Sequence, residues 1–250
     1  MAAGHNNVAA VGTSASNAYF TKSFLSSYSQ GVSHAQVVIL KDNLRTYRKS
    51  TPSDLWTGIA SLSGNTSPLF DADTGANLAV FQRNEDLITD GIYGAASRNA
   101  MHRTIGLSSK GWVRVLKSAP GYMNYNDTPN GLAADAAYKL DYSWVTSTTR
   151  DTLHALGYDF YLNTGKKIEV NDASLIDGVQ SPEHSTHKSG KEMDIRNNRM
   201  TAAQEKKWLE LCIAHSNVKR IIFHTKHGLT SGKVVIDAHH QDHFHIHTCN

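Results

Sequence analysis

The chain has 250 residues, of which 40% are hydrophobic and 19% are charged, and a formal net charge of +3. This composition is too apolar for a wholly disordered protein, and no apolar run approaches the roughly 18 residues of a membrane span, so we expect no integral membrane association. The length exceeds an average domain of roughly 150 residues, which favours two domains.

Residues 1–33 contain no acidic residue and are rich in Ala, Ser, Asn and Gly. The first lysine is Lys22, so no basic region precedes an apolar one, and the segment is unlike a secretory signal peptide. We expect a flexible N-terminal arm on a protein made in the cytoplasm of its host cell. A docking or delivery segment is the alternative.

Residues 34–106 are expected to form a small helical domain. Apolar residues at helical spacing predict an amphipathic helix over 34–48. TGANLAVFQRNEDL (74–87) predicts a second helix, and a third begins near Gly94 after a turn at Asp90 and Gly91.

The stretch FQRNEDLITDGIYGAASRNAM (81–101) resembles the second half of the three-helix peptidoglycan-binding domain. The family pattern is FQ, a Leu, then DG-x-x-G-x-x-Thr/Ser and an apolar helix. The matching positions are Phe81, Gln82, Leu87, Asp90, Gly91, Gly94 and Ser97. The resemblance implies a peptidoglycan-binding domain over 34–106, a generic helical linker domain being the alternative. Leu87, Ile92 and Met101 are expected to close its small core.

Residues 107–250 mix helices and strands without a βαβ rhythm, which is typical of an α+β domain. WVTSTTRDTLHALGY predicts a helix of about eight residues that ends at Gly157. Thr201 and Gln204 have the spacing of a capping box at the start of another helix. VKRIIFH (218–224), KVVIDA (233–238) and HFHIH (243–247) are short β-rich runs separated by turns, which indicates an antiparallel sheet.

Histidine is concentrated near the C-terminus: ten of the 14 histidines lie from His184 onward, so we expect the chemistry there. The two cysteines are too few for a repeated Cys-x-x-Cys zinc site. A disulfide between Cys212 and Cys249 is allowed in an oxidising compartment, and two free buried thiols are the alternative.

His187 and Asp194 lie seven residues apart in SPEHSTHKSGKEMDIR. On one helix they would be about 10 Å apart along the axis, and on one strand about 23 Å, so neither element lets both reach one metal ion. A turn at Ser189 and Gly190 would bring them together. The spacing therefore predicts a metal site only if the two residues flank a loop.

The run HFHIH places His243, His245 and His247 on one face of a strand and Phe244 and Ile246 on the other. Same-face neighbours lie about 6.6 Å apart, so two of these histidines can address one site but three cannot all be ligands. Together with His187 and Asp194, one of them would give three protein ligands and an open fourth position, as in catalytic zinc sites.

IEVNDASLIDGVQSPEHSTHKSGKEMDI followed by HHQDHFHIH resembles the penicillin-insensitive murein endopeptidases of the LAS group of zinc peptidases. The family pattern is Asp-x-Ser, His-x-x-His-x-x-Gly-x-x-x-Asp and, later, His-x-x-His-x-His. The matching positions are Asp172, Ser174, His184, His187, Gly190, Asp194, His240, His243 and His245. Lys191, Glu192 and His247 depart from the family, which bears on substrate preference more than on metal binding.

The resemblance implies zinc ligands at His187, Asp194 and His245 in an LAS-type domain over 107–250. His243 would be the general base beside the metal-bound water. His184 and His240 would line the site and steady the oxyanion or the substrate. Ligand histidines need hydrogen-bond acceptors, for which Asp172, Asp237 and Asp242 are candidates, although each is also typical of a turn or a helix cap.

We therefore expect a monomeric zinc peptidase that cuts D-Ala to meso-diaminopimelate cross-links of Gram-negative-type peptidoglycan, as an antimicrobial phage endolysin acting in the periplasm. Alternatives are an injected antibacterial effector, a D,D- or L,D-carboxypeptidase, and a non-catalytic wall-binding module with a structural zinc site. A His-metal nuclease or cupin-type oxygenase is a further alternative. The sequence has no cluster of Arg and Lys interleaved with aromatic residues, so we expect no nucleic-acid partner.

Overall fold

A computed structural model describes the chain over residues 27–106, 108, 110–133, 141–178 and 184–249. Of the expected arm 1–33, residues 1–26 lie outside this part, whereas Tyr28 is buried and pairs with Tyr93 through two backbone hydrogen bonds. Among the helices in the described ranges, none has both the length and the apolar composition needed to cross a bilayer.

The described residues fall into two compact units. The first ends at Lys110 and also includes Asp141; the second consists of Gly111–Gly131 and the residues from Tyr142 on. In its described part, the first unit has the helices α1 (Ala35–Ser50), α2 (Ala72–Asn84) and α3 (Ala95–Ile105). These bounds fall within a few residues of the predicted helices; that the unit binds peptidoglycan stays a prediction.

Gln82 ties the end of α2 to the turn that precedes α3. Its amide nitrogen lies 2.8 Å from Oδ1 of Asp90, 3.0 Å from the carbonyl oxygen of Ile92 and 3.1 Å from Oγ of Ser97. Its amide oxygen accepts a hydrogen bond from the backbone N–H of Gly91. Gly91 has a φ of +69°, a conformation that glycine adopts without strain. Four residues of the FQ…DG…Ser pattern thus form one hydrogen-bonded turn.

The small core of the first unit differs in part from the expected one. Met101 is fully buried and Leu87 packs against the same cluster. Ile92 is 41% exposed, so the prediction that it closes the core is wrong. Its backbone carbonyl accepts a hydrogen bond from the Gln82 amide, and its side chain is partly exposed to solvent.

From Gly111 on, the described chain forms three further α-helices, two short 3₁₀ helices and eight strands. The α-helices are α4 (Pro129–Ala133), α5 (Ser147–Thr164) and α6 (Ala202–Ala214). The strands are β1 (Val113–Arg114), β2 (Tyr122–Asn124), β3 (Trp144–Val145), β4 (Ile168–Val170), β5 (Glu192–Arg196), β6 (Val218–Phe223), β7 (Val234–Ile236) and β8 (His243–Thr248). This mixture of helices and strands confirms the α+β class.

Six strands form one sheet in the order β2-β4-β5-β8-β6-β7, and β1 pairs with β3. The sheet is mixed: β4, β5, β8 and β6 are antiparallel neighbours, whereas the outer pairs β2/β4 and β6/β7 are parallel. The predicted antiparallel relation between 218–224 and 233–238 is therefore wrong. Residues 224–233 carry the chain back along β6, so that Val234 pairs with Ile221 and the two strands run parallel. The short apolar sequences of these strands do not show in which direction each one runs.

One face of this sheet packs against α5 and α6 and forms the main core of the second unit. Every second residue of the central strands points into it. These residues are Met193, Ile195, Ile221, Phe223, Phe244 and Ile246. The opposite face of β5 and β8 is therefore the one that carries their polar side chains.

The helix α5 continues past Gly157 to Thr164, so the prediction that it ends at Gly157 is wrong. Gly165, with a φ of +69°, provides the left-handed C-cap. Gly157 serves for close packing: a β-carbon there would lie 3.2 Å from the carbonyl oxygen of Gly121. Gly157 therefore allows a close contact with Gly121 and does not end the helix.

The predicted capping box at the start of α6 is confirmed. The Thr201 hydroxyl accepts a hydrogen bond from the backbone of Gln204, whose side chain accepts one from the backbone of Thr201. Cys212 on this helix and Cys249 are both free thiols, Cys212 being fully buried. The alternative with two unpaired cysteines is the one observed.

Candidate metal centre

The polar face of the sheet is assembled by the pairing of β5 with β8. Asp194 lies opposite His245, and Arg196 lies opposite His243. Phe244 and Ile246 point into the core, so the predicted division of the HFHIH run into two faces is confirmed. Strand pairing thereby brings a carboxylate and two imidazoles from distant parts of the chain to one surface.

The loop between His187 and Asp194 turns at Ser189 and Gly190, as the spacing required. Gly190 has a φ of +71°, and a β-carbon there would lie 2.8 Å from the ring of Trp112. Its N–H donates to Oγ of Ser174 (3.0 Å), and its carbonyl accepts from the N–H of Thr146 (2.8 Å). The turn is fixed on both sides, and only glycine fits it.

His187 itself has a left-handed backbone, with a φ of +60°. Non-glycine residues rarely adopt this region, and where they do the surrounding structure enforces it. Here the strained residue directly precedes a clamped turn and has a buried side chain. The left-handed backbone thus accompanies a fully inward position of the His187 imidazole.

Three residues form a group that could hold a metal ion: His184, His187 and Asp194. One ligand atom of each lies within 4.8 Å of the others. His187 and Asp194 are buried, whereas His184 is half-buried and provides the side open to solvent. All three residues belong to the His-x-x-His-x-x-Gly-x-x-x-Asp motif, and they can bind a metal ion.

The buried imidazole of His187 has no well-placed hydrogen-bond partner among the described residues, which suits a metal ligand. Both of its ring nitrogens are shielded from solvent and neither has a hydrogen bond of good geometry, although Nε2 lies 3.3 Å from Oδ2 of Asp194. Leaving a buried polar atom unsatisfied costs about 1–3 kcal/mol. Coordination of a metal through one nitrogen would remove part of that cost.

Asp194 is kept ionised in this setting. Burial raises the pKa of its carboxyl, but the nearby charge of His187, together with the hydrogen bond and charge of His245, outweighs burial and holds the pKa well below its usual range. Oδ1 lies 2.9 Å from Nδ1 of His245, while Oδ2 faces His187. An ionised carboxylate between imidazoles is the form that a metal ion requires.

His245 and His184 both lie next to this pair. The ring of His245 is 4.9 Å from that of His187, and the ring of His184 is 4.5 Å from it. The resemblance implied a ligand role for His245 and a lining role for His184. Nδ1 of His245 lies 2.9 Å from Oδ1 of Asp194. The group of three whose ligand atoms all lie within 4.8 Å of one another contains His184 and does not contain His245.

His243 and His240 border the group. Nε2 of His243 lies 3.9 Å from Oδ2 of Asp194, and its ring lies 4.8 Å from that of His240. Burial lowers the pKa of His240, and the charge of His243 lowers it further. The five histidines His184, His187, His240, His243 and His245 therefore lie around Asp194.

Each of the three candidate acceptors lies against one histidine. Oδ2 of Asp172 is 3.3 Å from His184, Oδ1 of Asp242 is 2.7 Å from Nδ1 of His243, and Oδ2 of Asp237 is 3.4 Å from Nδ1 of His240. These contacts link sequence neighbours in two cases. The Asp172 contact crosses from the end of β4 to the loop before β5, which a linear pattern does not reveal.

Two nearby histidines stand apart from the group. His247 is one same-face step further along β8, with Nε2 3.7 Å from Oε1 of Glu192. The side chain of His239 is 93% exposed and pairs with Asp237. Sequence reasoning also missed Tyr142, whose ring meets that of His184 edge-on at 5.7 Å; no local motif marks it.

Searches for relatives found no family model that matches the chain and no matching curated protein. What the group binds is therefore inferred from its side chains and their surroundings.

Proposed function

We propose that this protein is a zinc-dependent peptidoglycan endopeptidase that hydrolyses peptide cross-links of the bacterial cell wall. The observation that carries the proposal is the group of His184, His187 and Asp194, whose ligand atoms lie within 4.8 Å of one another. The same residues belong to the pattern that resembles the murein endopeptidases. D-Ala to meso-diaminopimelate links are the proposed substrate.

The donor set suits zinc. Imidazole nitrogens with one carboxylate are typical of catalytic zinc sites, which leave a position open, whereas structural sites are closed and usually contain cysteine. The half-buried His184 lies on the side where a substrate can approach. A bound zinc ion polarises a carbonyl and lowers the pKa of a water molecule from 15.7 to about 7.

His243 is placed to move the proton of the reaction. Its Nδ1 is engaged by Asp242 at 2.7 Å, which orients the ring and directs Nε2 toward Asp194 and the group. Nε2 can accept a proton from the attacking water and return it to the leaving amine. A well-placed general base of this kind contributes typically 10²–10⁴-fold.

His240 completes the polar edge. Burial lowers its pKa and so favours the neutral imidazole, which can donate a hydrogen bond without adding charge. Its position beside His243 suits a role in orienting the substrate carbonyl or steadying the developing oxyanion.

The first unit would anchor the enzyme to the wall. Its FQ…DG…Ser residues, which resemble the peptidoglycan-binding domain, form one hydrogen-bonded turn through Gln82. A monomer with a wall-anchoring unit and a hydrolase unit fits an endolysin that reaches the periplasm after release from the cytoplasm. An injected effector would use the same chemistry.

The test is digestion of purified Gram-negative sacculi with mass spectrometry of the released muropeptides. We expect loss of cross-linked dimers, abolition by EDTA and recovery on adding zinc. His243→Ala should keep zinc and lose cleavage, because the residue moves a proton and does not hold the metal. The matched control is His239→Ala, which changes an exposed histidine of the same segment.

The products separate the alternatives. Release of free D-Ala without loss of cross-links would indicate a carboxypeptidase. Binding to sacculi without any cleavage would indicate a wall-binding module with a structural metal. Full cleavage in the presence of EDTA would refute the zinc mechanism.

A further inference from the structure

The carboxylate of Asp172 contacts the one member of the metal-binding group that is not fully buried. Its Oδ2 lies 3.3 Å from Nε2 of His184. Both side chains are mostly buried, with 16% and 23% of their surfaces exposed. The ring of Tyr142 also meets the His184 ring edge-on, with centroids 5.7 Å apart. The imidazole is thus in contact with both a carboxylate and an aromatic ring.

Asp172 is itself fixed to the strand that carries Asp194. The backbone N–H of Asp194 donates to the carbonyl of Asp172 at 2.6 Å, and the N–H of Asn171 donates to the carbonyl of Asp194 at 2.8 Å. The Asn171 side chain then donates to Oδ2 of Asp172 at 2.8 Å. The position of the carboxylate is therefore set relative to the ligand Asp194.

Asn171 is supported in turn by Arg196 on β5. Nη1 of Arg196 lies 3.5 Å from Oδ1 of Asn171. The guanidinium stacks over the ring of Tyr125, 3.9 Å from its centroid, and its Nε lies 3.4 Å from Glu169. These contacts lead from the sheet to His184 through Asn171 and Asp172.

We propose that Asp172 is a positioning residue that holds His184 in the metal-binding group. An imidazole has two nitrogens, so a carboxylate that engages one of them fixes the ring and its tautomer while the other serves as a ligand. The carboxylate also makes the ring a better donor. This inference rests on the metal-binding part of the proposed function and requires no particular substrate.

The experiment measures the zinc dissociation constant of the full chain by competition with a chromophoric chelator. Asp172→Asn keeps the size of the side chain and an acceptor for Asn171, but removes the charge that faces His184. We expect about 10–100-fold weaker zinc binding, as found when such partners of ligand histidines are changed. The cobalt-substituted protein should show an altered visible absorption spectrum, because the coordination of the ion changes.

A double-mutant cycle with His184→Ala separates positioning from a general structural effect. If Asp172 acts through His184, then Asp172→Asn costs nothing further in the His184→Ala protein. An undiminished loss in that background would overturn the proposal. If Asp172→Asn does not fold, Asn171→Ala in the same cycle should give a smaller loss that His184→Ala likewise cancels.

Glu205→Gln is the matched control, because Glu205 forms a carboxylate–histidine pair with His227 at 2.8 Å outside the group. Its zinc affinity should equal that of the wild type, and an equal loss in both variants would contradict the positioning role. Wild-type protein that binds no zinc would refute the metal centre and this inference together. Tight wild-type binding that is unchanged in Asp172→Asn would refute this inference alone.

Discussion

The backbones of Gly121 and Gly157 lie in direct contact, Gly121 immediately before β2 and Gly157 within α5. A β-carbon on Gly121 would lie 2.1 Å from the carbonyl carbon of Gly157, closer than any real contact. A β-carbon on Gly157 would lie 3.2 Å from the carbonyl oxygen of Gly121. The two positions are thus unequal in how much a methyl group would disturb them.

Gly121→Ala should destabilise the second unit by about 3 kcal/mol, a large cost for overpacking, because the colliding atoms are backbone on both sides. Gly157→Ala should cost much less, since the contact is milder and alanine favours the helix by about 1 kcal/mol. Urea unfolding followed by circular dichroism measures both. Equal stabilities of the two variants would contradict the close contact.

Zinc should stabilise the folded protein through the group around Asp194. A ligand that binds only the folded state at 100 times its dissociation constant adds about 2.7 kcal/mol to the free energy of unfolding. Asp194→Asn should lose most of this gain. Asp151→Asn, which changes an exposed carboxylate paired with Arg150, should retain it. Thermal unfolding with and without zinc makes the comparison, and a gain that survives in Asp194→Asn would place the metal elsewhere.

His154 should contribute to loss of stability in acid. Burial lowers its pKa from 6.5, the charge of Arg150 lowers it further, and Asp151 opposes them. Its Nε2 lies 2.7 Å from the hydroxyl of Tyr122, whose pKa burial raises to about 12, so this hydroxyl stays protonated beside the ring.

Because the folded pKa of His154 is below the unfolded value, the unfolded chain binds more protons in this range. The stabilising contribution is complete above about pH 6.5 and is lost as the pH falls toward the folded pKa. His154→Gln should therefore reduce the drop in urea midpoint between pH 7.5 and pH 5.5. The exposed His239→Gln should not, and identical pH profiles for His154→Gln and the wild type would contradict this assignment.

The two thiols should differ in reactivity. Burial raises the pKa of Cys212 well above its usual range, so its thiolate is negligible at neutral pH, whereas Cys249 is partly exposed. A thiol reagent should label one cysteine in the native protein and two after denaturation. Peptide mapping should place the native label on Cys249. Native labelling of Cys212 would show that α6 opens readily.

Local patterns allowed good predictions wherever the cause is local. Thr201 and Gln204 form their capping box because both hydrogen bonds lie within one helical turn. The HFHIH faces followed from the pleat of a strand. Gly157 misled because its neighbour Gly121 is distant in sequence, and the direction of β7 depends on the path of a loop and not on its residues.

The site shows the same division. The turn between His187 and Asp194 could be predicted from their spacing, since a straight element cannot bring them together. The sequence could not predict that Trp112 packs beside Gly190 or that Tyr142 contacts His184. These aromatic residues belong to other segments of the chain and lie in no motif. Long-range packing, and not residue type, determines those contacts.

The strand β8 lies between β5 and β6, with the histidines on one side and Phe244 and Ile246 on the other. Insertion or deletion of one residue at its start would exchange the two sides, burying imidazoles in the core and exposing aromatic and aliphatic groups to water. The length of β8 is therefore fixed by its two faces. Changes in what the polar face binds would have to come from the connections that surround the sheet.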